Sequence, residues 1–358
     1  MKSIKLSLKM LFYRILSTKL GHFLLDFFSF GIYVKDLRPK TYNKRQNVRK
    51  LRPFIVAVTI DTESGYVDGD ERRMWQKYKP EAFIGFYKGV ENWRNLFNEY
   101  RIKATFLVST QCFAAKGKEL KKILNQLNSL VKNEHEIGLH IHPDSDFAVQ
   151  RFLNKSFKYT SAKFYDYKAK KQILSASKTL LIKNIKSLKN NLVSFRWGNW
   201  GLDTESVKIL QELNFRIDTT ATPGIKGHLN DEMFYDWSKI NLHYPWFLST
   251  KNYLDIKSQN SEVLELPIAT FSFFCLKLRA DPVNLRLLTK AFDYYYKNVM
   301  RDKNPFVFVL ISHSSEATYI DGGKTKVVNT MEEFIKHAMK FQDVKFMTLK
   351  QARLLLNC

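Results

Sequence analysis

The chain is 358 residues long, which suits one large α/β barrel with an extension rather than a single small domain. Hydrophobic residues at 45% and charged residues at 26% are ordinary for a soluble globular protein, and the three cysteines, Cys112, Cys275 and Cys358, are too few and too far apart for a disulfide framework or a zinc knuckle. The formal net charge of +24, from 58 Lys+Arg against 34 Asp+Glu, favours an anionic surface or polymer as partner, unless it is a compositional bias without function. The excess is spread along the chain and no nucleic-acid-binding motif is present, so no nucleic-acid partner is expected.

Residues 1–52 stand apart as a basic N-terminal extension and linker, before an expected barrel domain at 53–358. The apolar runs of the extension are broken by Lys9, Arg14, Lys19, His22 and Asp26, so neither a transmembrane helix nor a cleaved signal peptide is expected. Leu6, Met10, Leu11, Ile15, Leu20, Phe23 and Leu24 recur at helical spacing. That pattern suits either a basic amphipathic helix giving peripheral membrane contact through residues 1–35, or a helix packed on the main domain. The cysteine usage fits a reducing compartment, and with no cleavable signal peptide recognised the expected location is the cytoplasm or the inner face of the membrane.

After the cationic linker 39–53 the pattern changes to short apolar runs alternating with helical periodicity. Strands are expected at 54–60, 102–108, 135–140, 192–196, 214–218, 263–268, 306–312 and 344–348. Helices are expected at 85–100, 117–132, 166–190, 203–213, 282–300, 329–341 and 348–356, and the stretch 225–260 reads as irregular. Strands alternating with helices indicate a parallel α/β fold, with a barrel favoured over an open sheet. No phosphate-binding glycine loop follows a strand, which removes the nucleotide-binding versions of such folds.

Active groups in these folds sit at the carboxyl ends of strands. There the sequence offers Asp61 and Glu63, His140 and His142 followed by Pro143 and Asp144, Arg196, and His313. Side chains two apart on an extended backbone point the same way, so each of the two pairs presents a single face. Taken singly, these residues also have plainer readings: the acids as turn caps, a histidine as a satisfied structural residue, and Arg196 as a surface or ion-pairing arginine. Together they account for metal-assisted amide or ester hydrolysis. One carboxylate and two imidazoles hold a divalent metal with open positions, a second carboxylate takes a proton from water, an imidazole protonates the departing amine, and an arginine braces the base.

These segments, in this order, resemble the polysaccharide deacetylase family, carbohydrate esterase family 4, over residues 54–350. Thr59-Ile60-Asp61-Thr62-Glu63 is similar to its first motif, His135-Glu136-Ile137-Gly138-Leu139-His140 to its second, Phe195-Arg196-Trp197-Gly198 to its third, and Ser312-His313 to its fifth. Asp218 falls loosely at the start of the fourth. The resemblance implies an irregular (β/α)7-type barrel. It implies Asp61 as catalytic base, His313 as general acid, Arg196 as brace, and Glu63 and His140 as metal ligands. The family's second histidine falls four residues after the first, where this chain has Asp144. His142 is the expected third ligand, with Asp144 as fallback. The family's proline after Arg196 is also missing.

The implied cofactor is a divalent metal, zinc by ligand type with cobalt or nickel also suited. The implied substrate is an acetylated glycan, a polysaccharide or glycolipid losing an N-acetyl or O-acetyl group. Two alternatives stand beside it: a deformylase or other C–N amidohydrolase on the same scaffold, and a catalytically silent basic protein that binds glycan or membrane. Trp75, Trp197, Trp200, Trp237 and Trp246 are candidates for stacking on sugar rings or for core packing.

Overall fold

The computed structural model describes residues 32–33, 53–69, 73–74, 80–229, 232–273, 276–299 and 306–356. The expected amphipathic helix, and membrane contact through it, lie outside the described residues, as do Trp75, Cys275 and Cys358. No helix among the described residues is long and apolar enough to cross a membrane.

Seven parallel strands carry the fold: β1 (Phe54–Thr62), β2 (Thr105–Ser109), β3 (Glu136–Ile141), β4 (Ser194–Trp197), β5 (Ile217–Asp218), β6 (Leu264–Glu265) and β7 (Val307–His313). They pair in chain order from β1 to β6, and β7 returns to pair with β1. A single parallel bridge, Ile268 with Val309, links the stretch after β6 to β7. The sheet is therefore curled into a distorted half-barrel whose open side is bridged by the stretch after β6, with Ala269 N donating to the Val309 carbonyl and Ile311 N to the Ala280 carbonyl, consistent with the (β/α)7-type expectation. A short strand β8 (Val344–Phe346) pairs with the start of β1, and the antiparallel Trp246–Phe247 extends the sheet beyond β6.

Every residue of β1 is buried, because the strand has a core on each face. Phe54, Val56, Val58 and Ile60 pack outward in the large cluster shared with the helices. Ile55 and Ala57 point inward with Val307, Val309 and Ile311 of β7, and Leu349, Ala352 and Leu356 of the last helix close that end. Continuing the inward series past Ala57 gives Thr59 and Asp61, both buried. The barrel interior thus turns from aliphatic to polar toward the carboxyl ends of its strands.

The helices are α1 (Val90–Glu99), α2 (Gly117–Lys132), α3 (Phe147–Leu153), α4 (Tyr167–Asn184), α5 (Thr204–Glu212), α6 (Leu285–Val299), α7 (Lys326–Ala338) and α8 (Leu349–Leu356). Asp146, Asp166 and Asp203 cap α3, α4 and α5, each side chain accepting from the backbone N–H three residues on. A π-helical turn, Gly85–Gly89, leads into α1. A Cβ on Gly89 would come within 2.0 Å of the Ser314 carbonyl, so only glycine lets this turn approach the loop after β7.

Some elements depart from expectation. The stretch 225–260 contains an antiparallel hairpin, Lys226–Leu229 with Glu232–Asp236. Helix α3 is additional, a short segment between the β3 end and α4 that owes its start to the Asp146 cap. A further hairpin, Thr270–Phe273 with Leu276–Arg279, follows β6, and Ile32–Tyr33 pairs antiparallel with its first strand.

Candidate metal centre and catalytic groups

The barrel brings every candidate residue to one place. Asp61 and His313 are register neighbours on β1 and β7, and His140 and Arg196 are register neighbours on β3 and β4. Glu63 follows β1 and His142 follows β3 immediately. Asp61, Glu63, His140, His142 and Arg196 are buried, and His313 is partly open.

Glu63 meets both histidines. Its Oε1 lies 2.9 Å from His140 Nε2 and 3.3 Å from His142 Nε2. The opposite ring nitrogens are already engaged. His140 Nδ1 lies 3.0 Å from the Arg196 carbonyl, which can only accept, so Nδ1 carries a proton and Nε2 is the nitrogen turned toward Glu63. His142 Nδ1 lies 2.9 Å from Thr160 Oγ1. Two imidazole Nε2 atoms and a carboxylate oxygen, all within 4.8 Å of one another, suit a divalent metal. The outer contacts orient the rings as ligand histidines usually are oriented.

A second triplet, Asp61, Glu63 and His313, satisfies the same distance limit. It is chemically poorer, since Asp61 is already committed to Arg196. Asp144 belongs to neither triplet, so His142 and not the fallback Asp144 completes the candidate set.

Asp61 is held from the opposite side. Arg196 NH1 donates to its Oδ1 at 2.6 Å. The guanidinium is itself clamped, donating from Nε to the Thr219 carbonyl at 2.8 Å and from NH2 to Thr59 Oγ1 at 2.9 Å. The free Asp61 oxygen, Oδ2, stands 3.9 Å from His140 Nε2 and 3.9 Å from His313 Nε2. Burial alone would push the Asp61 carboxyl up, but Arg196, His140 and His313 outweigh it and hold the carboxyl below its usual range. Asp61 is therefore an ionised buried carboxylate.

His313 is backed by Glu316, whose Oε1 lies 3.0 Å from His313 Nδ1 and whose Oε2 accepts from the His313 backbone N–H at 2.9 Å. The Trp93 indole N–H donates to the His313 carbonyl at 3.0 Å. Neither Glu316 nor Thr160 stood out in the sequence. Glu316 is three residues past His313, a spacing that could have suggested it, whereas Thr160 lies in a loop with no motif.

Beneath Arg196 sits a second acid pair. Asp218 and Glu265 are register neighbours with no exposed surface. Asp218 accepts from Thr220 N and Oγ1, and Glu265 Oε1 accepts from Ala221 N. Burial, and then the Asp218 charge, push Glu265 well above its ordinary value, so it holds a proton against Asp218. Asp218 thus serves the barrel interior rather than the metal set.

Of the tryptophans, Trp197, Trp237 and Trp246 are core residues, at 1% exposure or less. Trp200 alone among those described is half-buried, with the Arg279 guanidinium 3.9 Å above its ring.

No family model and no curated protein sequence matches the chain. Solved structures match it over most of its length. A protein from Mycobacterium smegmatis assigned as a polysaccharide deacetylase is 17% identical, with a TM-score of 0.53 over 88% of this chain and 94% of its own. A protein from Parabacteroides distasonis assigned as a glycoside hydrolase/deacetylase is 13% identical, with a TM-score of 0.58 over 85% and 71%. The PuuE allantoinase is 11% identical, with a TM-score of 0.54 over 90% and 97%. The chain has the fold of solved polysaccharide deacetylases, and that fold also carries an allantoinase.

Proposed function

We propose that the protein is a metal-dependent hydrolase that removes an acetyl group, in the first place an N-acetyl group, from a sugar in a polysaccharide or glycolipid. The observation that carries this is the meeting of Glu63, His140 and His142 beside the Asp61–Arg196 pair, with His313 across from them. In this reading Glu63, His140 and His142 hold a divalent metal, zinc by donor type, with cobalt and nickel also suited. When bound, such an ion supplies Lewis acidity toward an acyl carbonyl and a water.

The remaining chemistry belongs to the chain. Asp61 is ionised and has one oxygen turned from Arg196, so it is placed to take a proton from an attacking water. Arg196 fixes the orientation of that carboxylate. His313, on the neighbouring strand, is placed to give a proton to the leaving nitrogen, without which an amine departs poorly.

The test is twofold. Purified protein is expected to contain about one divalent ion per chain and to release acetate from N-acetylated oligosaccharides. A metal-free protein with no hydrolytic activity contradicts the proposal. The allantoinase likeness of the fold favours one second reading, hydrolysis of another C–N bond. Formate or ring-opened product in place of acetate selects it.

A further inference from the structure

We propose that Arg279, stacked on Trp200 beside the site, receives an anionic group of the substrate, a carboxylate or phosphate carried on or next to the sugar that is deacylated. The proposal rests on the deacetylase reading for the identity of that substrate.

Arg279 ends the strand Leu276–Arg279. The next residue, Ala280, accepts from the Ile311 N–H at 3.0 Å, two residues before His313 on β7. Trp200 stands four residues beyond Arg196. Arg279 therefore lies between the loop that follows Arg196 and the strand that ends in His313. Lys277 shares its strand face, and the Lys277 Cε atom would lie 3.1 Å from a Cβ on Gly224, in the loop after β5. Two cations of one short strand thus reach toward loops at the carboxyl end of the barrel.

The Arg279 guanidinium is half-buried, yet among the described residues it makes no hydrogen bond and no ion pair. Asp281, two residues on, influences it electrostatically without pairing with it. The indole holds the guanidinium in place by stacking, and stacking leaves the planar fork of N–H donors free at its edge. A partly desolvated fork, held in position before the ligand arrives, matches the two oxygens of a carboxylate or phosphate. A neutral sugar would leave those donors half satisfied.

Three N-acetylated tetrasaccharides test this: a neutral one, one with alternating uronic acid residues, and one bearing a phosphate group. Acetate release by wild-type protein is expected to favour one anionic substrate over the neutral one by roughly 10- to 100-fold in kcat/KM. Preference for the uronate or for the phosphate tells the two sources apart. Arg279→Gln is expected to collapse that ratio through KM, and Arg279→Lys, which keeps charge but not the fork, to retain part of it. An unchanged anionic-to-neutral ratio in Arg279→Gln, or no anionic preference in wild type, overturns the proposal. If none of the three releases acetate, the deacetylase reading fails by itself. Titration calorimetry with the same oligosaccharides then decides the subsite: tighter anionic binding lost in Arg279→Gln supports it, and equal binding refutes it.

Discussion

Gly198 faces the imidazole of His142: a Cβ at position 198 would stand 2.6 Å from the ring Nδ1 and Cε1 atoms and 2.4 Å from the Ile141 carbonyl. This contact joins two departures from the deacetylase pattern. The second histidine comes two residues after His140 instead of four, and the proline expected at position 198 is absent. With the ring of His142 packed there, any side chain at 198 would occupy the same space, so the first departure demands the second.

Replacing Gly198 with alanine therefore strikes the proposed metal site without touching a ligand. The expected result is a roughly 10- to 100-fold loss of metal affinity, of the size seen when groups behind ligands are disturbed. Overpacking should also lower stability by about 1–3 kcal/mol. Chelator competition and thermal unfolding measure the two effects. Wild-type affinity in Gly198→Ala would mean that the ring moves aside freely.

Asp61→Asn and His140→Ala should fail differently. The asparagine still accepts from Arg196 but cannot take a proton, so turnover falls by about 10²–10⁴-fold while metal content stays near wild type. His140→Ala loses the metal itself. Asp144→Ala, outside the candidate triplets, keeps it. Metal analysis beside acetate-release rates checks all three, and a catalytically normal Asp61→Asn protein would remove Asp61 as the base.

His135 predicts a pH-dependent loss of stability. Its Nδ1 accepts from Ala104 N at 3.2 Å, and its Nε2 lies 3.2 Å from Asn98 Oδ1. Burial first, then Lys103 and Arg94, lower its pKa from 6.5 to about 4. A depressed histidine is neutral in the fold while the unfolded chain binds a proton. Stability is thus complete above the ordinary histidine value and drains away as pH falls from about 6.5 toward 4, by on the order of 3 kcal/mol. In His135→Gln that slope should flatten in denaturant titrations run across this window. A slope identical to wild type would assign the acid sensitivity elsewhere.

Glu265 has the opposite sign. Its raised pKa keeps it protonated in the fold while the unfolded chain ionises it, so its contribution falls as pH rises above the ordinary carboxylate range. Glutamine copies the protonated acid, donating toward Asp218 and accepting from Ala221 N. Glu265→Gln should be within about 1 kcal/mol of wild type or more stable near neutral pH, whereas Glu265→Ala leaves buried polar groups unpartnered at a cost of about 1–3 kcal/mol. Thermal unfolding of both variants at several pH values tests this, and equal losses in the two would show that Glu265 is ionised in the fold.

The strands were readable because each is a short apolar run bounded by polar residues, as in Phe54–Thr62 and Val307–His313, and the chemistry follows directly at their ends. Helix α2 appears at its expected limits, Gly117–Lys132, because a clear apolar stripe and a free start and stop define it. What stayed hidden depends on tertiary neighbours. The hairpin at 270–279 has no strict alternation, since its first strand, Thr270–Phe273, is buried throughout. Arg279 gains its meaning only from Trp200, seventy-nine positions away in the chain, and Thr160 only from His142. The partnership of Asp218 with Glu265 is a matter of register between β5 and β6, which no local pattern encodes.

The backbone N–H of Glu63 donates to Ser314 Oγ at 2.9 Å, and the same hydroxyl donates back to the Glu63 carbonyl at 3.1 Å. This reciprocal stitch makes the turn bearing Glu63 and the turn after His313 a single mechanical part. Their spacing is set at folding and does not wait for a ligand to draw them together. A lesion on one side of that seam, at Ser314 for instance, should therefore degrade ion retention and proton delivery in step, because neither turn can shift alone.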